Sequence, residues 1–247
     1  MLHELGLCVG KANRNEHAAN LLSRALFIKE KHLGYAHVQV AYTLHELGVQ
    51  VAATGRSEDA SSHFRRAVAI YEVELGPTDV LTAHALHELG VCLGAGWRKD
   101  EAVSILSRAL EIRENKLGDD LATAATAYEL GLAVWEVGRD EEATGLLERA
   151  LDVQEARLGA DDLVVANTLH ELAVCVGEAG QHERATNMLS RALEIREEVQ
   201  GADAAQVLRA RHDRDRFARE AALDKKAGGW FINILGALCR PDTVCSA

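Results

Sequence analysis

The segment Leu44-His45-Glu46-Leu47-Gly48 decides the fold, because close copies of it recur along the chain. The same five residues occupy positions 2–6 and 86–90, and variants occupy 127–131 and 169–173. The second leucines of successive copies lie 42, 42, 41 and 42 residues apart. A period in this range is typical of solenoids, in which small units stack on their neighbours. The sequence therefore predicts an all-α array of repeats.

The composition of the 247-residue chain suits such an array. Hydrophobic residues make up 48% of it, and two prolines leave few helix breakers. The net charge of -11 argues against nucleic-acid binding, which needs a basic surface. The first residues do not resemble a secretory signal, and no apolar run reaches the ~18–20 residues of a membrane span. We expect a cytoplasmic protein that binds neither nucleic acid nor membrane.

Each repeat is predicted to form two helices, A and B, as residues 37–76 illustrate. Apolar residues recur at three- and four-residue spacing in both halves of this repeat. Gly55 is expected to end helix A in the left-handed conformation, and Ser57 to cap helix B. The same reasoning predicts stops at Gly34, Gly76, Gly118, Gly159 and Gly201, and caps for the next A helices at Asp79, Asp120 and Asp162.

One column of small residues and one turn position carry further predictions about packing and helix ends. Small residues recur in the middle of helix A, at Gly6, Gly48, Gly90, Gly131 and Ala173, where we expect close contact with helix B. In the third repeat, Trp97 takes the slot of the turn glycine. Because tryptophan disfavours positive φ, Gly96 is predicted to adopt the left-handed conformation and to end helix A one residue early.

The predicted organisation has three parts. An array covers residues 1–202, with repeats at about 1–34, 35–76, 77–118, 119–159 and 160–202. Residues 203–226 lose the leucine columns and are predicted to form one charged capping helix. A break at Gly228-Gly229 then separates a tail, 227–247, for which a disordered state is one expectation. The first A helix is short and lacks a polar cap, as expected for a fragment of a longer repeat protein.

The repeat columns resemble the tetratricopeptide repeat, in the long form found in kinesin light chains. In the fifth repeat the residues that carry the resemblance are Leu169-His-Glu-Leu-Ala173, Gly180 with Ala185, and Arg191-Ala-Leu-Glu-Ile-Arg-Glu197. The resemblance covers residues 1 to about 205 and implies a right-handed superhelical solenoid of helix hairpins. The paired asparagines of that family are replaced here by His-Glu or Tyr-Glu, which puts its cargo recognition in doubt for this chain.

The resemblance also places a peptide groove along the A helices. It implies an apolar floor, a ladder of histidines and one large aromatic anchor, the residue type that often dominates binding energy. The alternative is that the histidines only hydrogen-bond between adjacent helices. The predicted groove residues are Tyr42, His45, Val49, His87, Val91, Tyr128, Leu132, Trp135, Asn167, His170 and Val174.

Two columns of charged residues are interpreted as structural, with their side chains pairing within the protein. The glutamates beside the histidines are expected to bond adjacent repeats, although they would favour a basic ligand if they faced the groove. The arginines are expected to pair with acids three or four residues away on an exposed helix face. The two columns are Glu4, Glu46, Glu88, Glu129 and Glu171, and Arg24, Arg66, Arg108, Arg149 and Arg191.

These patterns favour a non-enzymatic scaffold that binds a peptide or partner protein, of kinesin light chain type. The alternative is a sensor or oligomerisation module of a STAND-type signalling NTPase, whose repeats are similar. No catalytic triad or phosphate-binding loop is recognisable, and no cofactor is expected. His84 and His87 lack a third metal ligand, and Cys8, Cys92 and Cys175 share one helix slot that suits packing rather than disulfide or zinc chemistry.

Overall fold

The computed structural model describes residues 1–201 and 204–238, and within these ranges the regular structure is entirely α-helical. By contacts the chain divides into two compact units, Met1–Val153 and the residues from Gln154 onward. The helices are α1 (Leu2–Lys11), α2 (Asn15–Leu33), α3 (Val38–Ala52), α4 (Ser57–Glu74), α5 (Val80–Gly94), α6 (Lys99–Leu117), α7 (Leu121–Glu136), α8 (Asp140–Leu158), α9 (Leu163–Glu178), α10 (His182–Gln200) and α11 (Ala205–Leu238).

Consecutive helices form hairpins, as the repeat predicts. In the first compact unit, α1 packs on α2, α3 on α4 and α5 on α6, and each B helix also packs on the next A helix. In the second, α9 packs on α10, and α10 on α11. The helix pair is therefore the repeating element in each unit, with odd-numbered helices α1 to α9 as A helices and even-numbered ones as B helices.

The small-residue column marks the contact between helix A and helix B. A Cβ built on Gly48 would lie 2.7 Å from Cε1 of Phe64, which is itself 0% exposed on α4. Such a distance is too short for a carbon contact, so glycine lets α3 approach the Phe64 ring. This confirms the predicted packing role of the column. A glycine inside a helix costs about 1 kcal/mol of stability relative to alanine, and the close contact between the helices offsets that cost.

The predicted helix ends are largely confirmed. Gly34, Gly76, Gly118, Gly159 and Gly201 all have positive φ, as does Gly55 at 81°. Asp79, Asp120 and Asp162 accept hydrogen bonds from the backbone two residues ahead, and His37 does the same for α3. The prediction for Ser57 is wrong: it is the first residue of α4, and Arg56 precedes it without a side-chain cap.

The prediction for the Trp97 turn is also wrong. Helix α5 ends at Gly94, the slot equivalent to the Ala52 end of α3, and not one residue early. Neither Gly96 nor Trp97 has positive φ. The Gly96 amide instead donates to the Leu93 carbonyl, so this turn closes without a left-handed residue and leaves the Trp97 side chain fully exposed.

Helix α11 covers the end of the second compact unit. Val207, Ala210 and Phe217 are buried, and a Cβ on Gly177 of α9 would lie 2.3 Å from the Phe217 ring. The helix continues through Gly228-Gly229 to Leu238, so the break predicted at these glycines does not occur. The predicted tail therefore has helical backbone up to residue 238, and its last part, including Cys239 and Cys245, lies outside the described residues.

In the described part of the chain, no helix is long and apolar enough to cross a membrane. Of the three cysteines in this part of the chain, Cys92 and Cys175 are buried and Cys8 is exposed, and all three are free thiols. Burial raises the pKa of the Cys92 thiol to about 11, which suits a packing role.

Candidate functional site

The predicted groove residues of the second repeat lie together on α3. Tyr42 is 39% exposed, whereas His45 and Val49 are partly exposed. The His45 ring meets the Phe64 ring edge-on at 5.6 Å and stacks on His84 of the next A helix at 6.2 Å. His45 therefore contacts both its own helix B and the next helix A, while keeping some surface accessible.

The next two A helices enclose a cleft of ≈ 350 Å³. Val91 of α5 and Leu132 of α7, both predicted groove residues, line it. His87, Tyr128 and Trp135 occupy the same two helices and are partly exposed. The other lining residues are Gly90, Gly94, Ala95, Lys99, Leu106, Glu129, Ala133 and Glu136, so the cleft is largely apolar.

Charged side chains lie at the cleft as well. The Lys99 ammonium donates to the Gly94 carbonyl and lies 2.5 Å from Oε2 of Glu136. Burial, followed by repulsion from Glu88, raises the pKa of the Glu129 carboxyl to about 6. Burial followed by the charge of Arg113 lowers the pKa of His87 to about 3, so His87 is neutral at physiological pH.

The glutamate column does not make the predicted bonds between repeats at this cleft. Among the described residues, no donor hydrogen-bonds to the carboxylate of Glu88 or Glu129. The Oε1 atom of Glu46 lies 3.6 Å from Nδ1 of His45, the preceding residue of the same helix, so this contact does not join two repeats. The ties between repeats therefore have another source, and Glu129 faces the cleft instead.

That source is a column of long polar side chains near the end of helix B. Lys29 donates to Thr43 at 2.8 Å, Arg113 to Thr126 at 2.5 Å, and Gln154 accepts from Thr168 at 2.6 Å. In each case the threonine belongs to the next helix A. The sequence signal was the recurrence of a long polar residue in one slot, just inside the Arg-Ala-Leu-x-Ile-x-Glu segment.

The predicted groove residues of the second compact unit are arranged differently. His170 is 1% exposed, because α11 covers it, and Asp213 of α11 lies 3.3 Å from its Nε2. Arg196 lies 3.1 Å from its Nδ1 and donates to Oδ1 of Asn167 at 3.0 Å. The expectation that His170 lines an open groove is therefore wrong, whereas Asn167 is exposed and Val174 partly exposed.

Burial has an electrostatic consequence for His170. Desolvation, followed by the charge of Arg196, lowers the pKa of His170 to about 4, against the opposing effect of Asp213. The imidazole is therefore neutral at pH 7. It belongs to a buried polar contact between helices, which is the alternative considered for the histidine column.

The arginine column forms a ladder between hairpins, not within helices. Arg66 pairs with Glu30 at 2.6 Å, and Arg108 with Glu72 at 2.6 Å. Arg149 pairs with Glu114, and in the second compact unit Arg191 pairs with Glu155 at 2.5 Å. The predicted same-helix partners are therefore wrong for these four arginines. Each reaches the preceding B helix, where its glutamate also repeats.

Among the described residues, no three His, Cys, Asp or Glu side chains are grouped so that they could hold a metal ion. The face formed by α3, α5 and α7 presents apolar side chains, imidazoles and carboxylates. Such a surface offers contacts to a ligand chain, and the α5–α7 cleft is a recess in it.

The sequence columns and the hairpins agree with a known family model. The model of the tetratricopeptide repeat matches residues 39–115, 95–156 and 122–198, most of the array. The chain belongs to the tetratricopeptide repeat family. Tetratricopeptide repeats are typically protein-interaction modules and are usually non-catalytic. A comparison with curated proteins finds no match.

Solved structures of other tetratricopeptide repeat proteins share this fold. Nearly identical TPR-like repeats of a kinesin light chain protein from Podospora anserina are 26% identical, with a TM-score of 0.68, covering 81% of this chain and 95% of that one. BtubC (BKLC) from P. vanneervenii is 20% identical, with a TM-score of 0.70 over 94% and 96%. YrrB, described as a TPR protein with an unusual peptide-binding site, is 16% identical, with a TM-score of 0.56 over 85% and 90%.

Proposed function

We propose that this tetratricopeptide repeat protein is a non-enzymatic, cytoplasmic scaffold that binds a peptide or partner protein segment on the face formed by α3, α5 and α7. The observation that carries the proposal is the cleft of ≈ 350 Å³ between α5 and α7. Its apolar wall includes Val91 and Leu132, which were selected from the repeat columns alone. Ligand sites are commonly recesses of about 300–1,000 Å³ with apolar walls and a few polar groups.

The neighbouring groove residues extend this contact surface along the same face. Tyr42, His45 and Val49 lie on α3, and His87, Tyr128 and Trp135 lie on α5 and α7, the two A helices that line the cleft. Partly exposed aromatic and imidazole side chains can pack on a ligand and also hydrogen-bond to it. In the second compact unit, taken by itself, Asn167 and Val174 are accessible, and we propose them as ligand contacts of that unit.

Selection of random peptides on the intact chain tests the proposal. Peptides that bind the cleft should lose at least about tenfold in affinity when Val91→Asp places a charge on its wall. Val73→Asp is the matched control, because Val73 is 79% exposed on α4 and lies outside the cleft. Circular dichroism establishes that both variants fold.

A second pair of variants avoids a buried charge. Trp135→Ala should weaken the same peptides, whereas Trp97→Ala should not, because Trp97 is fully exposed and lies in the turn after α5. Peptides that bind all four variants as tightly as the original chain would contradict binding on this face.

A further inference from the structure

Glu88 and Glu129 hold the same slot of two successive A helices, α5 and α7. Glu129 lines it together with Val91 and Leu132. Both glutamates are partly buried, and burial raises the pKa of both carboxyls. Glu88 is close enough to raise the pKa of Glu129 further. Glu129 thus carries an acidic group into a recess with mostly apolar walls.

The described cations around the cleft are engaged elsewhere. Lys99 is bound to the Gly94 carbonyl and to Glu136. Arg113, 2% exposed, donates to the Ala122 carbonyl at 2.7 Å and to Thr126. Burial raises the pKa of Glu88, and the charges of His45 and Arg113 partly offset that rise. No described side chain forms an ion pair or a hydrogen bond with Glu88 or Glu129.

We infer that the cleft binds a peptide segment through a lysine or arginine side chain, whose cationic group pairs with Glu129 while its alkyl stem packs on Val91 and Leu132. This inference rests on the proposed function and adds the chemistry of the ligand. Charge complementarity supports it, because Glu129 lines the recess beside Val91 and Leu132 and no described side chain forms an ion pair with it. The apolar walls suit the methylene groups of these long side chains. An acidic segment would add a like charge.

Glu129→Gln tests the inference without a change in side-chain size. The probes are the random peptides selected on the intact chain, resynthesised with glutamine in place of each lysine or arginine. Binding is measured by fluorescence anisotropy. Glu74→Gln is the matched control, because it removes the same charge from an exposed position at the end of α4.

The expected result is that the selected peptides contain lysine or arginine and lose about tenfold or more in affinity for Glu129→Gln, but not for Glu74→Gln. One lysine or arginine of the peptide should account for this loss. The peptide with glutamine at that position should bind the original chain weakly, and it should bind the Glu129→Gln variant with the same weak affinity. Raising the salt concentration should weaken the cationic peptide more than its glutamine version.

Failure of the inference and failure of the proposed function give different results. Peptides that are lost with Val91→Asp or Trp135→Ala, yet bind Glu129→Gln unchanged, would overturn the cationic contact and leave peptide binding in place. Selected peptides that ignore all cleft variants, or the absence of any selected peptide, would overturn both.

Discussion

Arg113 of α6 donates a hydrogen bond to the Thr126 hydroxyl of α7 at 2.5 Å, and both side chains are buried. The bond joins helix B of one repeat to helix A of the next. Arg113 also reaches the Ala122 carbonyl on α7. A buried cation thus ties adjacent repeats, which is the role predicted for the glutamate column, whereas Glu129 lines the cleft.

Thr126→Val tests this tie. The variant keeps the shape of the side chain but leaves a buried guanidinium donor unsatisfied, so we expect the free energy of unfolding to fall by about 1–3 kcal/mol. Thr78→Val is the control at an exposed loop position and should change stability by less than about 0.5 kcal/mol. Urea unfolding followed by circular dichroism measures both, and equal values would contradict the structural role of the bond.

The leucine column gives a comparison within one chain. Leu47 is 2% exposed, whereas its counterpart Leu5 in the first repeat is 49% exposed. Leu47→Ala should therefore cost about 2–5 kcal/mol, the range for a buried leucine, and Leu5→Ala well under half as much. Thermal or urea unfolding gives the two values, and a similar loss in both variants would contradict the difference in packing.

The partly buried His87 predicts a loss of stability in acid. The pKa of His87 is lowered to about 3, so the folded state keeps it neutral while the unfolded chain binds a proton below about pH 6.5. The contribution to stability is complete above that pH and is lost as the pH falls towards 3, at up to about 1.4 kcal/mol per pH unit. His87→Asn should flatten the pH dependence of unfolding between pH 6.5 and 4, and an unchanged slope would argue against a neutral buried His87.

Glu129 should have the opposite dependence. Because its pKa is raised to about 6, the folded state holds the proton more tightly than the unfolded chain, and stability is lost as the pH rises from about 4.5 to 6. Glu129→Gln should therefore raise the free energy of unfolding at pH 7 to 8 by at most about 2 kcal/mol, with little gain at pH 4. Glu74→Gln serves again as control, and a gain that is the same at both pH values would point to another cause.

Much of the fold was predictable because its determinants are local. The leucine period, the closing glycines and the aspartate caps each act within one hairpin, so a single repeat of sequence contains them. The partners of the arginines were not predictable in this way. Acids occur both on the same helix and one repeat earlier, and only the stacking of successive hairpins brings Glu72 to Arg108.

The candidate site was predictable only where the repeat continues on both sides. Val91 and Leu132 lie between repeats that share the same columns, and the structure places both in the cleft. His170 shares its position within the repeat with His87 and Tyr128, but the B helix of its repeat is followed by α11, whose sequence follows no column. Burial of His170 by Asp213 and its neighbours depends on that helix, and the repeat pattern contains no information about it.

The ladder of Glu30–Arg66, Glu72–Arg108 and Glu114–Arg149 makes each hairpin self-complementary. In the second to fourth repeats an arginine pairs with the hairpin before it, and in the first to third repeats a glutamate pairs with the hairpin after it. A duplicated copy of residues 77–118 inserted between repeats would therefore find both partners without any new surface. Such exposed pairs add little stability one by one, about 0.2–1 kcal/mol each, but they let the array gain or lose whole hairpins by gene duplication and deletion while the register between neighbours is kept.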